Sequence, residues 1–370
     1  MKTKLVRQIA VPLSLLATHA LCGQSVAPES AAAAAAAATP LRLEHTAEPS
    51  RNRFQLSYRA AFNISANFKN IGAFPARSNP NPMDNPAHPG FFLRTYDDGF
   101  LGEDVTHDQH GDYQGSWYWG YQHASQVQGD TLVMHSSSSS GTSSCDQGDS
   151  LQHGLELTCN REFLRHKKWS GGLEGAFNFT PVSIKDSSPQ AAVFNRRSDA
   201  YQLNGVIPPQ TLPYNGLFGS AGAVIGDVPT RTTDQVTGPV NGSRNFSANL
   251  FGFRIGPYLE FALSKKVSLD LNAGLAVVIA QSDYTYRELV NTPDAGTVAI
   301  NGSRSSCGVL VGGYVGSQIS VALAKDWNAV VGAQFQDVGT YSHRADAAGR
   351  AAVLDLSKTV FVSIGLTYSF

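Results

Sequence analysis

Thr359-Val-Phe-Val-Ser-Ile-Gly-Leu-Thr-Tyr-Ser-Phe370 is the stretch that decides the fold. Val360, Val362, Ile364, Leu366, Tyr368 and Phe370 share one parity. Thr359, Ser363, Gly365, Thr367 and Ser369 share the other, where Phe361 is the one large apolar residue. A period of two belongs to a β-strand, whose successive side chains point to opposite faces. One wholly apolar face opposite a small, polar one suits a strand with lipid outside and a polar lumen inside.

The same segment carries a recognisable ending. Ser363, Gly365, Tyr368 and Phe370 reproduce the order polar, glycine, aromatic, terminal aromatic. This resembles the β-signal of bacterial outer-membrane β-barrel proteins. The resemblance implies an exported barrel whose last strand is read by the barrel-assembly machinery.

Working outward, other segments repeat the pattern. Phe54 to Phe68 alternates without interruption and is longer than the roughly 9–11 residues a crossing strand needs. Leu151–Leu164, Trp169–Thr180, Phe246–Leu263, Val267–Gln281, Cys307–Leu323 and Trp327–Val338 alternate likewise. Short turns fall near 165–168, 264–266 and 324–326, and long connections near 69–150, 184–245, 282–306 and 339–358. Short turns on one side and long loops on the other is the pattern of transmembrane barrels. The expected fold is all-β, an antiparallel up-and-down barrel of eight strands, similar to small OmpA-type and OmpX-type barrels. Ten strands is the alternative, if segments 115–121 and 130–135 also cross. Pro257 lacks an N–H for its ladder, so a bulge is expected there.

The start of the chain fits export. Lys2, Lys4 and Arg7 precede a short apolar core over 9–17, so residues 1–23 read as a signal peptide. Residues 24–50, with the alanine run 31–38, read as a low-complexity periplasmic leader, and 51–370 as the barrel. Formal net charge is −1, which gives no support to nucleic-acid binding. Localisation in the outer membrane follows from signal, strands and ending together.

Parity also assigns an interior. If apolar faces meet lipid, Arg59, Glu156, Glu162, Glu174, Arg254, Glu260 and Asp270 point inward. An eight-stranded barrel is just wide enough for side chains to fill it, and charges inside must pair or meet water. A salt-bridged plug is the expectation and a wetted lumen the alternative.

No catalytic, cofactor or metal site is expected. The first long loop holds five of the ten histidines, His88, His107, His110, His123 and His135. Asp104, His107, Asp108, His110 and Asp112 lie close together, but without the spacing of a fixed-geometry metal site. His153 is the one strand-borne histidine and reads as a polar rim residue. Beyond the signal, Cys145, Cys159 and Cys307 are an odd number. Cys159 is expected to face lipid, Cys307 to open its strand at the outer rim, and any disulfide to join Cys145 to Cys307. The functional expectation is a membrane-embedded scaffold displaying loops to an unspecified extracellular ligand. A narrow channel or small-solute transporter is the first alternative and a barrel-borne hydrolase the second.

Overall fold

The computed structural model describes residues 52–77, 81–82, 91–104, 115–147, 151–218, 222–292, 294 and 296–370. The protein is all-β and its sheets are antiparallel. Eight strands form its base: β1 (Asn52–Phe62), β2 (Gln152–Arg165), β3 (Trp169–Asp186), β4 (Thr230–Ala262), β5 (Val267–Thr292), β6 (Gly296–Ala322), β7 (Trp327–Asp337) and β8 (Thr359–Ser369). Each pairs with its sequence neighbour in this set, and β8 pairs with β1, so the hydrogen bonding closes into a ring. Segments 119–121 and 131–139 are strands but not ring members. No described helix is long and apolar enough to cross a membrane.

Strand lengths depart from the sequence expectation. β4, β5 and β6 run well beyond the ring, so the connection placed at 282–306 is a continuous hairpin down to Thr292 and Gly296. Gln190–Gln202 takes over from β3 beside the outer end of β4 and pairs in turn with Thr131–Ser139. The other four ring strands each continue into a second sheet with the order Thr340–Arg344, Ala351–Asp355, Ser65–Ile71, Thr142–Gln147. That order repeats β7, β8, β1, β2, so one wall of the ring carries on past a row of breaks. The two walls enclose a head above the ring.

The break in the first strand corrects the reading of 54–68 as one uniform strand. Asn63 has φ +59°, a left-handed conformation that ends the ladder. Phe54, Leu56 and Tyr58 face out before it, whereas Ile64, Ala66 and Phe68 are buried after it. One residue out of step reverses which parity faces inward.

No bulge forms at Pro257. Ile255 stands opposite Leu275 and Tyr258 opposite Asn272, so the register is unchanged across the proline. Gly256 and Gly274 allow this close passage, since a Cβ on either would lie within 2.2 Å of a facing carbonyl oxygen. The register shift lies instead between Glu162 and Leu164, beside the short turn joining β2 to β3. Cys307 does not open its strand, since β6 begins at Gly296. Cys159 and Cys307 are both exposed free thiols, so the Cys145–Cys307 pairing does not form.

The core sits in the head. Phe68, Ile71, Phe194, Val240, Phe246, Val278, Tyr284, Val290 and Leu354 belong to one buried cluster between its walls. A second, smaller core farther out joins Trp119, Tyr121, Leu132, Met134, Tyr201 and Ile225.

Candidate functional site

The ring interior is built from the inward parity of each strand. β1 contributes Arg53, Gln55, Ser57 and Arg59, all buried. β2 contributes Glu156, Thr158, Asn160 and Glu162, and β3 contributes Glu174 and Asn178. β4 contributes Arg254 and Tyr258, and β5 contributes Asp270 and, partly buried, Asn272. An isolated charge in such a place is costly, and an ion pair with further hydrogen bonds is the usual remedy.

The ion pairs form two groups and one separate pair. In the first, Glu156 accepts from Arg59 and lies 2.7 Å from the Arg254 guanidinium. Arg254 also lies 3.5 Å from Glu174, whose two oxygens accept from Asn272 Nδ2 at 3.1 Å each. Aromatic faces cover the cations: Arg59 stacks 3.8 Å from the Phe361 ring centroid and Arg254 4.6 Å from that of Tyr314. Phe361, the one large apolar residue on the polar face of the last strand, therefore has a partner in Arg59.

The second group lies nearer the short turns. Arg53 donates to Glu260 at 2.9 Å and approaches Asp270 to 3.9 Å. Glu162 accepts twice from Arg165, at 2.5 and 3.0 Å. The inward set named from sequence thus divides into Arg59, Glu156, Glu174 and Arg254 in one group, and Glu260 and Asp270 in the other. Glu162 stands apart with Arg165. Arg53 and Asn272 are additional members. Arg53 precedes the first apolar residue of its strand, and continuing the same parity one step back would have included it.

Little space remains within the first group, whereas a pocket of about 240 Å³ opens beside the short turns among Arg53, Glu162, Arg165, Trp169 and Glu260. The gap between Glu156, Glu174, Arg254, Asn272 and Gln318 amounts to about 20 Å³, enough for one water. Gln55 narrows the same layer by bonding Ser57, Gln318 and, as acceptor, Thr367.

The residues of the terminal motif sit on the seam that closes the ring. Gly365 stands opposite Ser57, and a Cβ there would lie 2.3 Å from the Leu56 carbonyl oxygen. Tyr368 stands opposite both Phe54 and Trp327, with ring centroids 5.1 Å from Trp327 and 6.1 Å from Phe370. Ser363 faces the interior layer beside Gln334, and Phe370 exchanges backbone hydrogen bonds with Asn52.

Above the ring the interior chemistry changes. Arg350 is buried in the head and donates to Glu288 at 3.0 Å, to Asp346 at 2.7 Å and to the Ala73 carbonyl. Arg244 donates to Asp186 at 3.0 Å. Burial pushes the Asp186 carboxyl up, but hydrogen bonds from Ser144 and Ser188 and the Arg244 charge outweigh it and hold it below its ordinary range. Arg350 ties the approach to Ala351–Asp355 to Glu288 of β5, while Arg244 and Asp186 face each other within one wall and Ser144 of the second sheet bonds to that pair.

His153 is exposed on β2 and its Nδ1 meets the Tyr58 hydroxyl. His88, His107, Asp108, His110 and Asp112 lie outside the described residues, as does the Asp104 side chain.

No family model matches the chain, and no curated protein matches it. Similar solved structures include the attachment invasion locus protein Ail of Yersinia pestis in complex with the heparin analogue sucrose octasulfate. It has 9% identity and a TM-score of 0.29, over 87% of this chain and 99% of that one. The outer membrane protease OmpT from Escherichia coli has 8% identity and a TM-score of 0.31, over 87% and 97%. A Pseudomonas aeruginosa FadL homologue has 10% identity and a TM-score of 0.18, over 86% and 90%. Likenesses this distant carry no argument about the role of this chain.

Proposed function

We propose that the ring crosses a bacterial outer membrane as an eight-stranded β-barrel, and that the protein is a membrane-embedded scaffold holding the head outside the cell. One observation carries this reading: the ring wears its apolar side chains on the outside of all eight strands. Leu56, Leu155, Leu173, Phe253, Leu271, Val315, Val331 and Ile364 are all exposed. A continuous patch of this kind is far larger than soluble monomers carry.

The belt has definite edges. At the outer edge Phe179, Phe251, Ile279 and Val309 stand in one paired row. The next outward-facing row is Pro181, Asn249, Gln281 and Cys307. Toward the short turns Trp169, Phe261, Leu269 and Ile319 form another row, followed only by Leu263, Val267, Val321 and Leu323 beside the turns. From Phe251 to Phe261 the strand rises about 33 Å at the usual step, or about 25 Å once tilted as barrel strands are. That is the height of the apolar band on transmembrane barrels.

The short turns and the end of β8 lie at the Trp169 edge and the head at the other. In this reading the turns face the periplasm, residues 1–23 direct export, and Ser363, Gly365, Tyr368 and Phe370 serve the assembly machinery. The ion-paired interior and the head core above it favour a scaffold over a conducting channel.

Lipid-quenching fluorescence tests the reading. A cysteine-free variant receives a single labelled cysteine at 271 or at 285, outward positions on one strand. Brominated acyl chains should quench strongly at 271 and weakly at 285. Equal quenching at both would rule out the belt as a membrane span.

A further inference from the structure

Among the described residues, the head holds one cluster of ligand-type side chains that scaffolding does not use. Asp98 lies in the turn between strands Phe91–Thr95 and Gly99–Asp104, His135 lies in Thr131–Ser139, and Asp294 lies at the tip of the β5–β6 hairpin. One ligand atom from each falls within 4.8 Å of the other two. His135 Nδ1 is 2.6 Å from Asp98 Oδ2 and 3.8 Å from Asp294 Oδ1.

The surroundings fix two of these groups and leave the third wanting a partner. Asp98 is buried; its Oδ1 accepts the His135 backbone N–H at 2.8 Å, and its carbonyl accepts the Gln122 N–H. Asp294 Oδ2 is buried yet accepts no hydrogen bond. Such an oxygen carries a desolvation cost that a cation would remove. Arg196 comes no closer than 3.7 Å to Asp294 Oδ1, through Nη1, because its Nε and Nη2 are held by Asp234 at 3.0 and 2.7 Å. The neighbouring Asp97 is held by Arg77 and the Ser137 N–H.

We propose that Asp98, His135 and Asp294 bind a divalent metal ion of the Zn²⁺ type, tying the hairpin tip to the head. One imidazole nitrogen with two carboxylates is a borderline donor set; it suits Zn²⁺ better than Ca²⁺ or Mg²⁺, which favour all-oxygen sites. Metal–ligand bonds of about 2.0–2.2 Å place neighbouring ligand atoms about 3.3 Å apart around a tetrahedral ion. The 2.6 Å separation must open and the 3.8 Å separation must close, each by under an ångström, which side-chain rotation supplies. Three protein ligands leave a fourth position for water or for a donor from a bound partner.

Isothermal titration of Zn²⁺ into the folded full chain, stripped with EDTA and held in detergent micelles, tests this. One saturable site is expected. Affinity should fall at least tenfold in Asp294→Asn and in His135→Ala, and stay within about twofold in a His107→Ala/His110→Ala variant. Heat-dependent gel mobility identifies the folded protein in each case. As a second readout, Zn²⁺ should slow proteolysis of the hairpin tip in the wild type and not in Asp294→Asn. Absence of a zinc site in the stripped protein would overturn the proposal. So would affinity unchanged in Asp294→Asn, or lost in the His107→Ala/His110→Ala variant.

Discussion

The ring and the head are built from the same strands with their two faces exchanged. Along β5 the outward residues run Leu269, Leu271, Leu275, Val277 and Ile279 within the ring, then Gln281, Asp283, Thr285 and Arg287 in the head. The inward residues run Asp270 and Asn272 in the lower ring, Ala276 and Val278 at its upper end, level with the still apolar Val277 and Ile279, and then Ala280, Tyr284 and Tyr286 in the head. β4 makes the same exchange between Phe251 and Asn249 outside and between Arg254 and Leu250 inside. Backbone pairing continues through the change without a shift of register. Strand geometry therefore does not depend on which face is apolar. In the membrane-spanning reading the solvent outside each segment sets that choice, since apolar area is buried against whatever is least like water.

The largest expected effect tests the ring's interior. Glu156→Leu puts a side chain there that the head interior would accept. In the ring it leaves Arg59 and Arg254 facing each other without their shared carboxylate. Removing one partner of a buried ion pair costs about 3–5 kcal/mol. Urea unfolding of protein folded into lipid vesicles should show a loss of that size. A loss below about 1 kcal/mol would mean that the interior is wet enough to screen the two cations.

A smaller effect separates the two exteriors. Leu271→Arg and Thr285→Arg place the same charge on the outward face of one strand, fourteen residues apart. Leu271 is 43% exposed, so neither change creates a clash. In the membrane-spanning reading, an arginine near the middle of the belt costs about 2–4 kcal/mol. At Thr285 it joins a polar surface, where substitutions usually stay within about 0.5 kcal/mol. The same vesicle unfolding assay reads both. Similar losses at the two positions would remove the distinction between belt and head.

The exchange of faces also explains what could be read in the sequence. Ring strands were legible because their apolar residues share one parity with polar residues between them; Trp327–Asp337 and Thr359–Ser369 fall within a residue or two of the expected bounds. The head strands alternate just as regularly. At 249–251 and 279–281, however, the apolar parity flips, so following one apolar parity loses the strand there. Hence 282–306 reads as a loop although it is a hairpin arm. Ile64, Ala66 and Phe68 mislead in the opposite way, because the break at Asn63 turns the faces over while the apolar parity stays even. Parity marks seven charged residues as inward. Their partners were not legible, because Arg53 and Glu260, or Arg254 and Glu156, come together only once the ring has closed. The Asp98, His135 and Asp294 group was hidden for the same reason, its members being far apart in sequence.

The smallest expected effect is a pH dependence confined to the head. His343 lies fully buried on Thr340–Arg344, with Nδ1 2.8 Å from Ser282 Oγ and with Tyr341, Tyr284 and Phe246 around its ring. Burial lowers its pKa, the Arg304 charge lowers it further, and Asp283 opposes this more weakly. The native state therefore keeps the imidazole neutral at pH values where the unfolded chain, near its ordinary pKa of about 6.5, takes up a proton. Its contribution is full above about pH 6.5 and is lost as pH falls from there through the depressed native value, each unit of depression being worth about 1.4 kcal/mol. Resistance of the head to protease should accordingly weaken between pH 7 and 5 in the wild type, and weaken less in His343→Gln when each is compared with its own value at pH 8. The ring lacks this group, so its unfolding midpoint should show no difference in pH response between the two proteins. An equal acid response of the head with and without His343 would mean that the imidazole is not held neutral, and that the head's interior is wetter than its apolar lining implies.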